Sequence, residues 1–186
     1  MQYRPHEITL RDGTHCLLRS AVESDAPALL EHLRLTAKET EFLLRYPEEV
    51  TIPMEQERKF LQNHLDSPNK VMIVAFTDGV LAGTAGIQAV GERAKICHRC
   101  SMGIALKQAY WGKGLGTALI EALLDTARSM EYEQIELGVY RENARAIRLY
   151  ERMGFQRWGI TPRAFKLRGG RYADELLMGR FLSEQS

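Results

Sequence analysis

The chain of 186 residues has little of what marks several protein classes. Its three cysteines are too few for the disulfide framework of a small secreted domain. Its longest apolar run, residues 71–76, is far shorter than the roughly 20 residues that a membrane-spanning helix needs. No basic segment followed by an apolar one opens the sequence, so no secretory signal is predicted. We therefore expect a cytoplasmic protein that does not contact a membrane.

An excess of one charge is also lacking, because 25 Lys and Arg residues stand against 24 Asp and Glu residues. Surfaces that bind nucleic acid usually carry a clear positive excess, so we expect no nucleic-acid partner. The length suits one domain with a sizeable core. No repeat, low-complexity tract or linker divides the sequence, and residues 1–186 are predicted to form a single domain.

Two of the cysteines lie in the segment Cys97-His98-Arg99-Cys100, whose spacing is that of many metal sites. We expect this segment to lie on a strand, where residues three apart face opposite sides of the sheet. A zinc site would need two more ligands, and the sequence has no second cluster of Cys and His. We predict no metal and interpret these thiols as buried or half-buried.

The most informative feature is a run of alternating glycines that opens into an amphipathic helix. Residues 110–117 read Tyr-Trp-Gly-Lys-Gly-Leu-Gly-Thr, after an apolar strand at 102–106. Glycine lets backbone N–H groups approach an anion, and a helix N-terminus adds about half a positive charge. The segment lacks the Gly-Lys-Ser/Thr of a P-loop, and Leu119 replaces the third glycine of the dinucleotide fingerprint. It predicts a pyrophosphate site of another kind, the alternative being a flexible turn before a helix.

A second informative segment, residues 143–155, is predicted to be a short helix. Asn143 is a good N-cap, and Gly154 is expected just beyond the C-terminus. Tyr150 shares one helix face with Leu149 and Met153, so its side chain is expected to point inward. The simplest role for Tyr150 is that of a core aromatic whose hydroxyl finds a partner at the rim.

On these two segments the chain resembles the GNAT (GCN5-related N-acetyltransferase) family. The family loop Arg/Gln-x-x-Gly-x-Gly/Ala matches residues 111–116, except that Trp111 replaces Arg or Gln. The family helix Asn-x-x-Ala-x-x-Leu-Tyr-x-x-x-Gly-Phe matches residues 143–155 completely. The resemblance extends to residues 8–13 and 170–174, and is closest to the branch of ribosomal-protein and amino-acid N-acetyltransferases.

The resemblance implies an α/β (α+β) fold with a mixed, mostly antiparallel sheet of about seven strands and about four helices. The sequence pattern places strands at 7–10, 15–19, 70–77, 80–90, 93–106, 134–140, 155–160 and 171–182. It places helices after a cap at Ser24 and at 53–65, 117–130 and 143–153. Asp78-Gly79 is predicted as a two-residue hairpin turn.

The resemblance also implies acetyl-CoA as co-substrate. In the family, the strand before the glycine loop and the strand after the long helix are parallel neighbours that splay apart, and the pantetheine arm lies between them. By position, its backbone partners here are Ile104, Ala105 and Leu106. The pyrophosphate cradle corresponds to Gly112, Lys113, Gly114, Leu115, Gly116 and Thr117. Asn143 is expected both to cap its helix and to contact the cofactor.

The residue of this chain that matches the family's catalytic tyrosine is Tyr150. A phenol with a pKa of about 10 stays protonated at neutral pH and is able to donate to a developing thiolate. The base is not assigned, because residues 100–104 hold no carboxylate where many relatives have a Glu. His98, Glu39, Glu41 and a chain of water molecules remain candidates.

The resemblance places the acceptor between residues 38–51 and 161–172. Arg163, Arg168 and Arg171 are candidates to bind a substrate carboxylate there. We expect an N-acetyltransferase that acts on the primary amine of an amino acid, a small amine or a protein N-terminus, by direct attack in a ternary complex. The alternative is a non-catalytic acyl-CoA-binding sensor. Relatives often pair through sheet edges, so a homodimer is also considered.

Overall fold

The computed structural model describes residues 2–182, which form one mixed sheet of eight strands with four α-helices on its faces. The strands are His6–Thr9 (β1), His15–Ser20 (β2), Lys70–Thr77 (β3), Val80–Ala89 (β4), Arg99–Leu106 (β5), Gln134–Tyr140 (β6), Gln156–Lys166 (β7) and Tyr172–Phe181 (β8). The helices are Ala26–Glu39 (α1), Met54–Asp66 (α2), Leu115–Ser129 (α3) and Ala144–Arg152 (α4). Residues 1 and 183–186 of the predicted domain lie outside the described residues.

The strand order is β1-β2-β3-β4-β5-β6-β8-β7, and every neighbouring pair is antiparallel except β5 and β6. The mixed, mostly antiparallel sheet is thereby confirmed. The described strands number eight rather than about seven. Both strands of the N-terminal hairpin join the sheet, because β2 pairs with β3 and β1 adds the edge.

The segment before β5 differs from the prediction. Residues 94–98 form a turn in which the Cys97 N–H donates to the Arg93 carbonyl at 2.9 Å, so β5 begins only at Arg99. Cys97 is therefore exposed on a turn, whereas Cys100 is buried on the strand, where burial raises the pKa of its thiol to about 12. Among residues 2–182, no three His, Cys, Asp or Glu side chains come together as metal ligands would.

Two helix starts also differ from the prediction. Ser24 does not cap α1, because it lies within a short 3-10 turn and the helix begins at Ala26. The Asp25 carboxylate orders this corner instead, accepting the Val22 N–H at 2.9 Å and pairing with Arg19 at 2.6 Å. The long helix α3 begins at Leu115, two residues before the predicted Thr117.

The sheet is covered by apolar side chains on both faces. Leu119, Ile120 and Leu123 of α3 are fully buried in the larger core, which α4 joins through Ile147. A smaller core lies under α1 and α2 and contains Leu29, Leu61 and Val74. No helix within residues 2–182 has the length and apolar character needed to cross a membrane. These cores hold in position the strands β5 and β6, between which the candidate site lies.

Candidate active site

The two parallel strands β5 and β6 pair over only part of their length. Residues 99–101 face residues 134–136, and within the described residues the pairing stops there. An ion pair between Arg99 and Glu136 at 2.8 Å reinforces this paired end. The strands therefore separate toward their carboxyl ends, and a cleft opens between residues 102–106 and 137–140.

The β5 wall of this cleft presents backbone groups that the sheet does not use. The Lys107 N–H donates to the Ala82 carbonyl at 3.0 Å, which fixes the bonded positions of the β4–β5 ladder. Because such positions alternate in an antiparallel pair, Ile104 and Leu106 direct their backbone groups away from β4 and into the cleft. Ala105 directs its own toward β4. Among the three predicted backbone partners, the geometry therefore favours Ile104 and Leu106.

The glycine loop lies directly beyond β5 and has the conformation of an anion cradle. Gly112 and Gly114 have φ values of +80° and +95°, which residues with a Cβ rarely adopt. The first bond of α3 runs from the Ala118 N–H to the Gly114 carbonyl at 3.1 Å. The N–H groups of Leu115, Gly116 and Thr117 therefore have no partner within the helix. This open helix end fits a pyrophosphate.

The β1–β2 hairpin holds the loop in place. The Arg11 N–H donates to the Lys113 carbonyl at 2.9 Å, and the Lys113 ammonium pairs with Asp12 at 3.0 Å. Hydrogen bonds from Lys113 and Thr14 lower the pKa of the Asp12 carboxyl to about 2. The Lys113 side chain thus fixes the loop to the hairpin, and its N–H remains the group predicted to meet the cofactor.

Helix α4 begins and ends as predicted. The Asn143 side chain accepts the Ala146 N–H at 3.1 Å, which is an N-cap bond, and Gly154 follows the helix with a φ of +83°. Sequence reasoning did not single out Arg145, whose terminal nitrogen lies 3.7 Å from the point that a Cβ at Gly112 would occupy. Nothing in the local pattern marks Arg145, because only the folded chain brings α4 to the loop.

Tyr150 points into the core, as predicted, with 7% of its surface exposed. Its ring packs against Phe155 with the centroids 5.9 Å apart. Within residues 2–182 its hydroxyl has no hydrogen-bond partner, so the expected partner at the rim is not found among them. Burial raises the pKa of the Tyr150 phenol to about 12. The side chain is therefore a neutral hydroxyl with an unused proton.

The two segments predicted to shape the acceptor site enclose a cavity of about 510 Å³. Residues 37–41 and 43–47 form one side, and residues 164–167 with Tyr140 form the other. The Glu39 carboxylate lines this cavity and accepts the Gln108 N–H at 2.7 Å, just beyond the end of β5. Because Tyr140 ends β6 and Glu39 bonds to the chain just beyond β5, the cavity lies at the open end of the cleft.

The predicted arginines of this region are already engaged. Arg168 pairs with Glu48, and its guanidinium lies over the ring of Tyr46. Arg171 pairs with Glu41 at 3.4 Å, so neither arginine is a free anion site. The guanidinium carbon of Arg163 lies 3.9 Å from the centroid of the Tyr172 ring. The contacts of Arg168 and Arg171 join the segment after α1 to the β7–β8 turn.

Of the candidate bases, His98 lies at the wrong end of the cleft. It directly precedes β5, and its carbonyl accepts the Glu133 N–H at 2.9 Å beside the paired end of β5 and β6. A groove of about 550 Å³ between α4 and β7 contains none of the predicted site residues. The predicted backbone partners of β5 therefore lie along the cleft, and the predicted cradle lies in the loop directly beyond β5.

Comparison with known proteins agrees with this geometry. A model of the Acetyltransferase (GNAT) family matches residues 35–155, which include both sequence motifs. This chain belongs to the GNAT family. Its cleft, glycine loop and acceptor cavity therefore lie on the scaffold of an acetyltransferase, and the eight-stranded fold agrees with solved GNAT structures.

The GNAT relatives carry names that refer to different substrates. The chain is 28% identical to the L-amino acid N-acetyltransferase AaaT of Escherichia coli, over 73% of this chain and 83% of that protein. It is 34% identical to the N-alpha-acetyltransferase RimI of Mycobacterium tuberculosis, over 62% and 69%. A phosphinothricin acetyltransferase from Sinorhizobium meliloti, solved in complex with acetyl-CoA, has the same fold: the TM-score is 0.78 at 23% identity, covering 92% of this chain and 90% of that one.

Proposed function

We propose that residues 1–186 form one acetyl-CoA-dependent N-acetyltransferase domain that acetylates a primary amine by direct attack in a ternary complex. The observation that carries this proposal is the β5–β6 cleft, which joins the glycine cradle to the acceptor cavity. Such a cleft is suited to hold a long thioester along β5 and to bring its acyl end to a second substrate. Membership of the GNAT family supports the same activity.

The chain's own groups divide the work of binding. The N–H groups of the loop and of the first turn of α3 bind the pyrophosphate, and no side chain at Gly112 or Gly114 blocks the approach. The Leu106 N–H and the Ile104 carbonyl, which point into the cleft, bind the amides of the pantetheine arm, whereas the Leu106 carbonyl already accepts the Trp111 indole N–H. Asn143 adds a contact from the start of α4. When bound, acetyl-CoA supplies an acyl group activated as a thioester.

In the transfer, a carbon–nitrogen bond forms as the carbon–sulfur bond breaks. The attacking amine loses one proton, and the departing sulfur gains one. Tyr150, the residue that matches the catalytic tyrosine of the family, supplies the proton for sulfur, and burial keeps its phenol neutral by raising the pKa to about 12. The Ile104 N–H, which points into the cleft, stabilises the negative charge that develops on the acyl oxygen. Of the cavity carboxylates, Glu39 is the better proton acceptor, since Glu41 is paired with Arg171.

The test measures release of coenzyme A thiol from acetyl-CoA against a pooled panel of amines, with acetyl-CoA binding measured in parallel by calorimetry. We expect binding and amine-dependent thiol release. Binding without release from any amine would favour the acyl-CoA sensor. Absence of binding would overturn the cofactor assignment itself.

A further inference from the structure

One wall of the acceptor cavity is aromatic. The rings of Tyr140 and Phe165 are stacked, with centroids 3.9 Å apart and an interplanar angle of 7°. Phe42 packs against the Tyr140 ring at 5.8 Å and supports it. Tyr46 and Leu43 also line the cavity. A flat apolar wall of this kind stabilises an apolar or aromatic group of a ligand through buried area and ring contacts.

Among the residues that the structure describes, only one of the two cavity carboxylates, Glu39, has no ion-pair partner. Glu39 accepts the backbone N–H of Gln108 at 2.7 Å. Glu41 forms an ion pair with Arg171 at 3.4 Å. A linear polyamine carries further positive charges besides the amine that reacts. It would meet a single carboxylate without an ion-pair partner, that of Glu39, beside the cations that line the same cavity.

Three cations line the same cavity, namely Lys38, Arg45 and Lys166. Within residues 2–182, none of them lies within ion-pair distance of a carboxylate. Burial raises the pKa of the Glu57 carboxyl, and the charge of Arg45 acts on it from a longer distance in the opposite direction. The Lys166 ammonium lies 5.9 Å from the centroid of the Tyr172 ring, a neutral partner that leaves its charge unpaired. The cavity therefore combines an aromatic wall with positive charge that no carboxylate neutralises within residues 2–182.

We propose that the acceptor is an α-amino acid with an apolar or aromatic side chain and a free carboxylate. Its side chain packs on the Tyr140–Phe165 wall, its carboxylate meets the cations of the cavity, and its amine points to the cleft beside Glu39. A polyamine carries a further positive charge that the cations of the cavity would repel, and a peptide N-terminus lacks the α-carboxylate that they would bind. This inference rests on the proposed N-acetyltransferase function and names the substrate class of the same site.

The experiment compares kcat/KM for matched acceptors with acetyl-CoA at saturation. The panel is L-phenylalanine, L-leucine, glycine, L-phenylalaninamide, the tripeptide Phe-Gly-Gly and spermidine. We expect L-phenylalanine and L-leucine to exceed each of the others by about tenfold or more, because each of the others lacks either the apolar group or the α-carboxylate. Equal or better use of the amide, the peptide or spermidine would overturn the inference.

Variants test the cations and the wall separately. Arg45→Gln and Lys166→Gln should bring the rate for L-phenylalanine down toward that for its amide and leave the amide rate unchanged. Arg58→Gln is the matched control, because Arg58 is exposed on α2, pairs with Glu55 and does not line the cavity. Phe165→Leu keeps an apolar side chain and should reduce the preference for L-phenylalanine over L-leucine. If Arg45→Gln and Lys166→Gln leave the ratio of acid to amide unchanged, the carboxylate site is wrong.

The panel also separates the two proposals. Thiol release that is strong with spermidine or the tripeptide and weak with amino acids would keep the proposed function and overturn this inference. Acetyl-CoA binding without thiol release from any acceptor would overturn both.

Discussion

The guanidinium carbon of Arg145 lies 4.5 Å from the centroid of the Trp111 ring, so a cation of α4 covers the side chain that begins the glycine loop. Trp111 is itself fixed, because its indole N–H donates to the Leu106 carbonyl at 3.1 Å. The family pattern has Arg or Gln at position 111. In this chain a positive charge approaches the loop from α4 instead, held by a cation–π contact.

Replacement of Arg145 by Gln should weaken binding of coenzyme A about three- to tenfold, as expected when one partly exposed charged contact to a phosphate is lost. Arg148→Gln is the control, because Arg148 is also exposed on α4 but lines the groove beside β7. Calorimetric titration with coenzyme A measures both variants. Equal effects of the two substitutions would reduce the role of Arg145 to general surface charge.

Replacement of Tyr150 by Phe should lower kcat by about 10²-fold, since it removes a general acid. The Kd for acetyl-CoA should stay unchanged, because within the described residues the Tyr150 hydroxyl bonds to nothing. Tyr132→Phe is a matched control: Tyr132 is equally buried, and its hydroxyl donates to the Asn69 carbonyl at 2.8 Å. That control should lose about 1 kcal/mol of stability and keep its turnover. Wild-type turnover in Tyr150→Phe would show that Tyr150 is not the general acid.

Replacement of Gly114 by Ala should lower the free energy of unfolding by about 1–2 kcal/mol, because its φ of +95° strains a residue with a Cβ. An added Cβ would also lie 3.4 Å from the Arg11 side chain. Binding of coenzyme A should weaken as well, since the cradle depends on this turn. Gly169→Ala has a similar φ of +80° outside the cradle and should cost stability only. Denaturant unfolding and calorimetry measure the two effects, and unimpaired binding by Gly114→Ala would count against the cradle.

Local chemistry explains why much of this fold was predictable from sequence. The Asp78-Gly79 turn joins β3 and β4 with Asp78 and Gly79 both at positive φ, which is the conformation that this dipeptide favours. The Asn143 cap and the inward direction of Tyr150 follow from spacing within one helix. In each case the residues that decide the structure are near neighbours in the chain.

What sequence reasoning missed depends on contacts between distant residues. Glu39 and Gln108 are 69 positions apart, and no local pattern predicts that they meet. The same holds for Trp111 and Arg145, which belong to different elements. The early start predicted for β5 has another cause, because a turn replaces the first residues of the expected strand up to His98. The candidate loop was therefore predictable, but its charged surroundings were not.

Replacement of Glu39 by Gln distinguishes two roles of this residue, the hydrogen bond that holds the Gln108 N–H and the acceptance of a proton from the substrate amine. An amide oxygen still accepts the Gln108 N–H, so the cavity wall is kept, but the base is lost. We expect kcat near pH 7 to fall by about tenfold or more, and the deficit to narrow as rising pH supplies more neutral amine. Glu39→Ala should in addition raise the acceptor KM. A wild-type rate in Glu39→Gln beside an impaired Glu39→Ala would assign Glu39 to anchoring alone.

Protonation of His32, which lies on α1 in the core, would destabilise the folded protein. It is fully buried, and within the described residues neither ring nitrogen has a hydrogen-bond partner. Burial, helped by the nearby charge of Lys107, lowers the pKa of the imidazole to about 4, although the Ala105 carbonyl acts weakly in the opposite direction. In the unfolded chain the pKa of a histidine is about 6.5. Folding therefore requires the neutral ring.

The sign of the resulting pH dependence follows from proton binding. Between pH 6.5 and 4 the unfolded chain holds a proton at His32 that the folded chain does not, so the free energy of unfolding falls as the pH falls. The full loss is about 3 kcal/mol, and most of it occurs above pH 5. His32→Leu should remove this part of the slope, whereas His6→Gln, an exposed position on β1, should retain it. Urea unfolding at a series of pH values measures the difference, and an unchanged slope in His32→Leu would show that His32 is not the titrating group.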